Sequence, residues 1–389
     1  MTLPLVYHHN YSCPFPQKHR FVMSKFRRLY EYCCQTGLVN NNLYQAEAAS
    51  VQQLALVHSP EYLQGLIQES LDSRVWRRIG LPWSQGLIDR TLTAPNGTLL
   101  SARLALQYGM ACHLAGGTHH AHRDFGSGFC LINDLAYSAQ TLLNSGEVDT
   151  IFIFDLDVHQ GDGTAAILAN EHRAFTCSIH CEKNFPFRKS ASDLDIGLDK
   201  GLEDDAYLAQ VEDTLVSLLQ RLQPDLVLYD AGVDVWTDDE LGHLNISSHG
   251  IRQRDELVLT HCLRRHIPVA TVIGGGYDRD HQRLARRHAS IIETAAELFP
   301  LYLSTLSEFA AVTTVAPGHA GLFDANISAA VTLRTPLETA LPTTAEAAGW
   351  PVAERSLAVR LTVNRCWRTA AMRRSSSDNA AQCVFVTSV

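Results

Sequence analysis

Short apolar runs rich in β-branched residues alternate with amphipathic stretches along this chain, and polar clusters sit just past the ends of those runs. That alternation is the sequence sign of a parallel sheet covered by helices. The runs predict strands at Leu3–Tyr7, Met110–Leu114, Thr150–Phe154, Ala174–Ile179, Leu226–Tyr229 and Val269–Ile273. The stretches between them predict helices at Thr98–Tyr108, Asn133–Asn144, Gly163–Asn170, Asp204–Leu222, Ser248–Arg265 and Arg279–Leu298. Apolar spacing of 3.6 residues is clearest before Leu222, where Asp204 and Asp205 open a helix and Pro224 follows its end. Pro82, Pro95 and Gly97 predict a surface loop over 80–97.

In open parallel sheets, ligands bind beyond the carboxyl ends of the strands. Five clusters therefore converge on one sheet edge: His119-His120, Asp155 to Asp162, Ser178 to His180, Asp234 and Gly274 to Tyr277. Asp155, Asp157 and His159 stand at alternate positions of an extended end and can face one way. Asp157, His159 and Asp234 are the expected metal ligands. Two carboxylates and an imidazole suit Zn2+, and also Fe2+, while leaving room for water. His119 and His120 follow two glycines and offer a base and an acid near neutral pH. Asp155 and Asp162 are the spare carboxylates that would fix the histidines' other ring nitrogens. Tyr277 can donate to a carbonyl oxygen opposite the metal. Phe129 would line a narrow slot, and Gly128, Gly275 and Gly276 are expected beside the substrate.

Composition limits the alternatives. A formal net charge of −9 argues against direct nucleic-acid binding, and the basic stretch Lys18 to Arg28 reads as a solvated helix face. No run is long and apolar enough to span a bilayer. The N-terminus lacks the features of a signal peptide, and the ten scattered cysteines form no paired metal knots. These features suggest a cytoplasmic protein, or a nuclear one in a eukaryote. Cys112 and Cys177 lie in apolar runs and are expected to pack as small hydrophobes. Residues 306–389 contain no lysine and little periodicity, so 1–305 is expected to be the catalytic domain and the rest a weakly structured appendage.

As a set, these residues resemble the histone deacetylase superfamily, which includes zinc-dependent acetylpolyamine amidohydrolases. The matching text is GGTHHA (116–121), GSGFC (126–130), DLDVHQGDGT (155–164), TCSIH (176–180), YDAGVDVW (229–236) and GGGY (274–277). Val57 to Leu63 and Leu241 to Ser247 add to it, the latter most similar to the class IV type. The resemblance implies an arginase-like α/β fold with a mostly parallel sheet of about eight strands. It implies Zn2+ on Asp157, His159 and Asp234, with His120 as general base and His119 as its electrostatic partner or acid. Asp155 would orient His119, Asp162 would orient His120, and Phe129 would wall an acyl-lysine tunnel. It also implies a structural K+ near Asp155, Asp157, His159, Ser178 and Ile179. The opposite tunnel wall falls to Phe185 or Phe187, and no rim aspartate is matched.

The implied activity is removal of acetyl or longer acyl groups from protein lysine side chains. A second reading is deacetylation of small acylated amines of the polyamine type. A third, from another class, is a catalytically silent metal-binding interaction protein. A binuclear manganese ureohydrolase is disfavoured, because Gly232-Val-Asp234 stands where a second D-x-D would be needed. Oligomeric state is not legible.

Overall fold

The computed structural model describes residues 2–312. Eight strands form one sheet: β1 (Leu5–Val6), β2 (Leu43–Tyr44), β3 (Met110–His113), β4 (Ile151–Asp155), β5 (Ala174–Cys181), β6 (Leu194–Leu198), β7 (Leu226–Asp230) and β8 (Val269–Val272). Their order is β2-β1-β3-β8-β7-β4-β5-β6, and every pairing is parallel. β4 reads Ile-Phe-Ile-Phe-Asp and is buried at every position, as expected for a strand covered on both faces. The chain leaves β3, skips two places to β4, and later fills the gap with β7 and β8. That central gap is where a doubly wound sheet opens a crevice.

The helices are α1 (Lys25–Gln35), α2 (Val51–Leu54), α3 (Pro60–Ile67), α4 (Ser73–Ile79), α5 (Gln85–Tyr108), α6 (Asp134–Asn144), α7 (Asp162–Leu168), α8 (Asp204–Leu222), α9 (Ser248–Arg264) and α10 (His281–Val312). α5 packs on α6, while α1, α10, α9 and α8 pack in sequence as a second set. Local caps fix several starts. Asn133 Oδ1 accepts from Ala136 N at 2.9 Å, and Ser247 Oγ accepts from Gly250 N at 3.0 Å. α8 stops at Gln223, which takes a left-handed conformation just before Pro224.

The loop expected over 80–97 is instead largely helix. α5 starts after Ser84, whose Oγ caps Leu87 N at 3.2 Å, and carries Pro95 inside it. Proline and glycine were read there as breakers, but both are buried in this helix. Gly97 is small because Tyr11 and His113 press against its backbone, so packing overrides propensity. The strands β2 and β6 and the helices α2 to α4 were not expected, and α1 only through the basic stretch that ends at Arg28. β2 has two residues and α2 four, which leaves almost no periodicity to read.

Cys112 and Cys177 are buried thiols, as expected. No described helix is long and apolar enough to cross a membrane. α10 runs through residue 305, the expected domain boundary. The rest of the expected appendage, beyond residue 312, lies outside the described residues.

Candidate active site

The carboxyl ends of the four central strands, β3, β8, β7 and β4, deliver the site. After β3 the chain turns through Gly116 and Gly117, with φ of +85° and +79°. A Cβ on Gly117 would lie 2.5 Å from the Gly274 backbone, so two loops meet there only because both residues lack side chains. Asp134 fixes this turn by accepting from Gly117 N at 3.1 Å and Thr118 N at 2.7 Å.

That turn presents His119 and His120. Asp155 Oδ2 lies 2.7 Å from His119 Nδ1, and Asp162 Oδ1 lies 2.7 Å from His120 Nδ1. The two Nε2 atoms face each other at 3.1 Å, a contact that needs one proton between them. Burial lowers the pKa of His119, but Asp155 and Asp157 outweigh it and hold the group well above its ordinary value. Burial and the neighbouring charge of His119 push His120 down to about 4. The surrounding charges therefore favour the shared proton on His119 over His120.

Asp157, His159 and Asp234 offer one donor atom each, all within 4.8 Å of one another. His159 Nδ1 is 3.1 Å from both Asp157 Oδ1 and Asp234 Oδ2. The one N–H that His159 Nδ1 can offer is directed at Asp157 Oδ1, which leaves the buried Asp234 Oδ2 without a hydrogen bond among the described residues. Gly275 N donates to Asp157 Oδ2 at 2.6 Å, and a Cβ on Gly275 would run into the Asp157 and Asp234 carboxylates. Burial disfavours charge on His159, yet the two carboxylates outweigh it and raise the group to about 10. An excess of buried negative charge with an orphaned oxygen is the setting a divalent cation fits.

A depression of about 390 Å3 leads to these residues. Phe129 forms one wall, 5.8 Å from the Tyr277 ring. Its backbone is left-handed at φ +66°, unusual for an aromatic and typical of functional sites. Phe185 forms the facing wall, with its ring 4.8 Å from that of His120, whereas Phe187 is 98% exposed and lines nothing here. Gly128, His120, His159 and Tyr277 line the same space. Gly275 borders a small inner recess, and Gly276 lies beside it in the chain, against Val233 and His288. Ser178 stands in register beside Asp155 on the neighbouring strand, with its Oγ 3.1 Å from His180 Nδ1, and Ile179 is buried next to it.

Sequence reasoning missed several residues. Lys25, read as part of a solvated basic face, is buried, and its Nζ donates to Gly274 O at 3.1 Å. Burial pulls its pKa down to about 8. Nothing in this basic run, with two lysines and three arginines, distinguishes it. Asp239 accepts from Tyr277 N at 2.7 Å and so sets the tyrosine. His122 Nε2 shares Asp162 through Oδ2 at 2.9 Å, and the alternation His120-Ala-His122 was its signal. Asp230 ends β7 directly opposite Asp155. Neither of its oxygens has a hydrogen-bond partner among the described residues, and it groups with His119 and Asp155.

The model of the histone deacetylase domain matches residues 19–294. An uncharacterized protein of Picosynechococcus sp. is 47% identical over 300 residues, covering 77% of this chain and all of the relative. Histone deacetylase 2 of Arabidopsis thaliana is 28% identical over 293 residues, covering 72% of this chain and 76% of that protein. The acetoin utilization protein AcuC of Staphylococcus aureus is 26% identical over 260 residues, covering 61% and 67%. The chain therefore belongs to the histone deacetylase family, whose chemistry is hydrolysis of acetyl amides.

Proposed function

We propose that the chain hydrolyses the amide of an acylated lysine side chain, with Asp157, His159 and Asp234 as ligands of a single Zn2+ or Fe2+ ion. The observation that carries this reading is the doubled relay. Two histidines sit 3.1 Å apart, each backed by its own carboxylate at 2.7 Å, beside one three-ligand cluster. The bound cation would acidify a water molecule and polarise the amide carbonyl. His120 is neutral and accepts a proton at Nε2, while Asp162 stabilises the cation that results. His119 holds a proton that its Nε2 can pass to the leaving amine, and Asp155 keeps its Nδ1 side fixed. Tyr277 donates a hydrogen bond to the carbonyl oxygen as negative charge develops there. Phe129 and Phe185 enclose the aliphatic stem of the lysine. We also assign the K+ position of the family resemblance to Asp155, Ser178 and Ile179, with the backbone oxygens of Asp157 and His159.

The recess beyond the ligands measures about 30 Å3 and is closed by Phe21, Lys25, Phe26 and Arg90. A volume that takes about two water molecules accommodates an acetyl methyl group as it stands, and a long chain only if those side chains move. The reading is therefore a short-chain deacylase.

Metal-loaded protein assayed on lysine peptides from acetyl to myristoyl should turn over acetyl and leave myristoyl intact. His120→Ala and Tyr277→Phe should each lower kcat by about 10²- to 10⁴-fold, with the metal content and the fold unchanged. Folded, metal-loaded protein that is inert across the whole panel would sink the reading. If His120→Ala left turnover unchanged, the assigned relay would be wrong.

A further inference from the structure

The tunnel mouth is flanked by arginines on two sides, on a chain whose formal net charge is −9. On one side Arg77 and Arg78, in the last turn of α4, line the depression that holds His120 and Tyr277. Arg78 is held in place, its guanidinium 3.6 Å over the Phe125 ring. Phe125 in turn stacks at 4.4 Å on His122. The Arg78 charge is thus fixed relative to the catalytic carboxylates. Arg77 donates to Ser73 Oγ at 3.2 Å.

On the other side lies a second, larger depression of about 740 Å3, lined by Arg27, Arg28, Arg279, His19 and His281 and by no carboxylate. His19 and Phe21 of this depression pack on Phe129 at 5.8 and 5.6 Å, so Phe129 separates the two spaces. Arg279 bridges them by donating to Glu240 Oε1 at 3.1 Å, and Glu240 is the rim carboxylate on the tunnel side. The Nε of Arg28 is buried without a partner among the described residues. Arginines ending α4 also offset its helix dipole, but that does not account for Arg27, Arg28 and Arg279 across the mouth. Five arginines against two carboxylates, Glu240 paired with Arg279 and Glu31 paired with Arg27 at 3.5 Å, still leave the entrance a positive field, which draws in anions and repels cations.

We propose that the entrance selects acyl-lysines set among acidic residues, and that Arg77 and Arg78 on one side and Arg27, Arg28 and Arg279 on the other are the specificity-determining groups. Lysine-rich tails and polycationic amines are disfavoured by the same field. The proposal names the substrate class of the deacylase reading and rests on that reading for the tunnel's purpose.

The test uses three labelled acetyl-lysine peptides of equal length with acidic, uncharged and basic flanks. Binding is followed by fluorescence anisotropy, and turnover is measured in parallel. The acidic peptide should bind at least about tenfold more tightly than the basic one at low ionic strength. The margin should shrink in about 0.5 M salt, and in turnover it should appear in KM rather than kcat. The double variant Arg77→Glu/Arg78→Glu should bring the ratio of acidic to basic affinity to one or below. Equal or reversed affinities in the native protein, or a ratio that the charge reversal does not move, would overturn the proposal. Charge-dependent binding without turnover of any peptide would keep the selectivity and instead overturn the deacylase reading.

Discussion

Two groups of buried charges lie side by side in this molecule, and they are built on opposite principles. Behind β7, Arg254 and Asp255 are fully buried and ion-paired with each other, with every bond to the carboxylate converging on Oδ1. Arg254 donates to Asp255 Oδ1 at 2.8 and 3.0 Å, to Gly232 O at 2.7 Å and to Ala231 O at 3.3 Å. Tyr229 adds a third bond to Asp255 Oδ1 at 2.7 Å. In front of the same strand, Asp157, Asp230 and Asp234 are as deeply buried, yet both oxygens of Asp230 and one of Asp234 lack partners among the described residues. In the first group the carboxylate charge is matched by a guanidinium, and Arg254 spends its remaining donors on the carbonyls of the loop that carries Asp234. The second leaves its capacity open toward a ligand. Buried polar groups are normally paired, so the open group is the one whose partner comes from outside the chain, and the closed group is what holds it open.

The contrast can be broken by removing one member of each group. Asp234→Asn removes a ligand charge from the open cluster. It should lower turnover by about 10⁴-fold or more through loss of the metal. Its melting temperature without metal should be equal to or above that of the native chain, because one of two adjacent buried like charges, Asp157 and Asp234, has been removed. Metal analysis and thermal melts check both parts, and a marked loss of stability in the metal-free state would mean that the open cluster is structural after all. Arg254→Ala acts on the closed group and should behave in the opposite way. It leaves Asp255 buried and unpaired, which costs about 3–5 kcal/mol of stability, read from denaturant midpoints. Since its carbonyl bonds steady residues 231 and 232, metal affinity should fall as well. A variant as stable as the native chain would remove the distinction drawn here.

The same contrast explains what the sequence disclosed. The open cluster was legible because catalysis demands particular residue types at particular strand ends: Asp157, His159, Asp234, His119, His120 and Tyr277 are all polar groups where a parallel sheet exposes its edge. Burial makes such residues conspicuous among apolar neighbours. Lys25 was invisible because its role comes from tertiary position, 249 residues from the carbonyl it meets. Phe185 and Phe187 differ by two positions in a loop, and only the path of that loop decides which one faces His120. The stretch over 80–97 failed for the complementary reason. Its Pro and Gly obey local propensity rules in most contexts, but here the helix is held by what packs against Gly97. Long strands and helices followed their periodicity; most boundaries moved by a few residues, while α5 starts at Gln85 rather than Thr98 and α10 ends at Val312 rather than Leu298.

His58 sharpens the comparison with the smallest expected effect. Like His119 and His120 it is a fully buried imidazole, but it belongs to the closed kind. Its Nδ1 lies 2.9 Å from His122 O, and its Nε2 accepts from Asn133 N at 2.9 Å. Nδ1 therefore carries the single proton of a neutral ring, with no vacancy for a second. Burial pushes its pKa down to about 4. Between that value and the ordinary 6.5, the unfolded chain binds a proton that the folded chain does not. Stability from this residue is thus complete above pH 6.5 and is lost as pH falls toward 4. Between pH 7 and pH 5.5 the loss should amount to about 1 kcal/mol. The native chain should lose more stability over that range than His58→Gln, whose side chain cannot titrate. Parallel denaturation curves at the two pH values measure the difference, and equal losses in both proteins would mean that His58 is not held neutral.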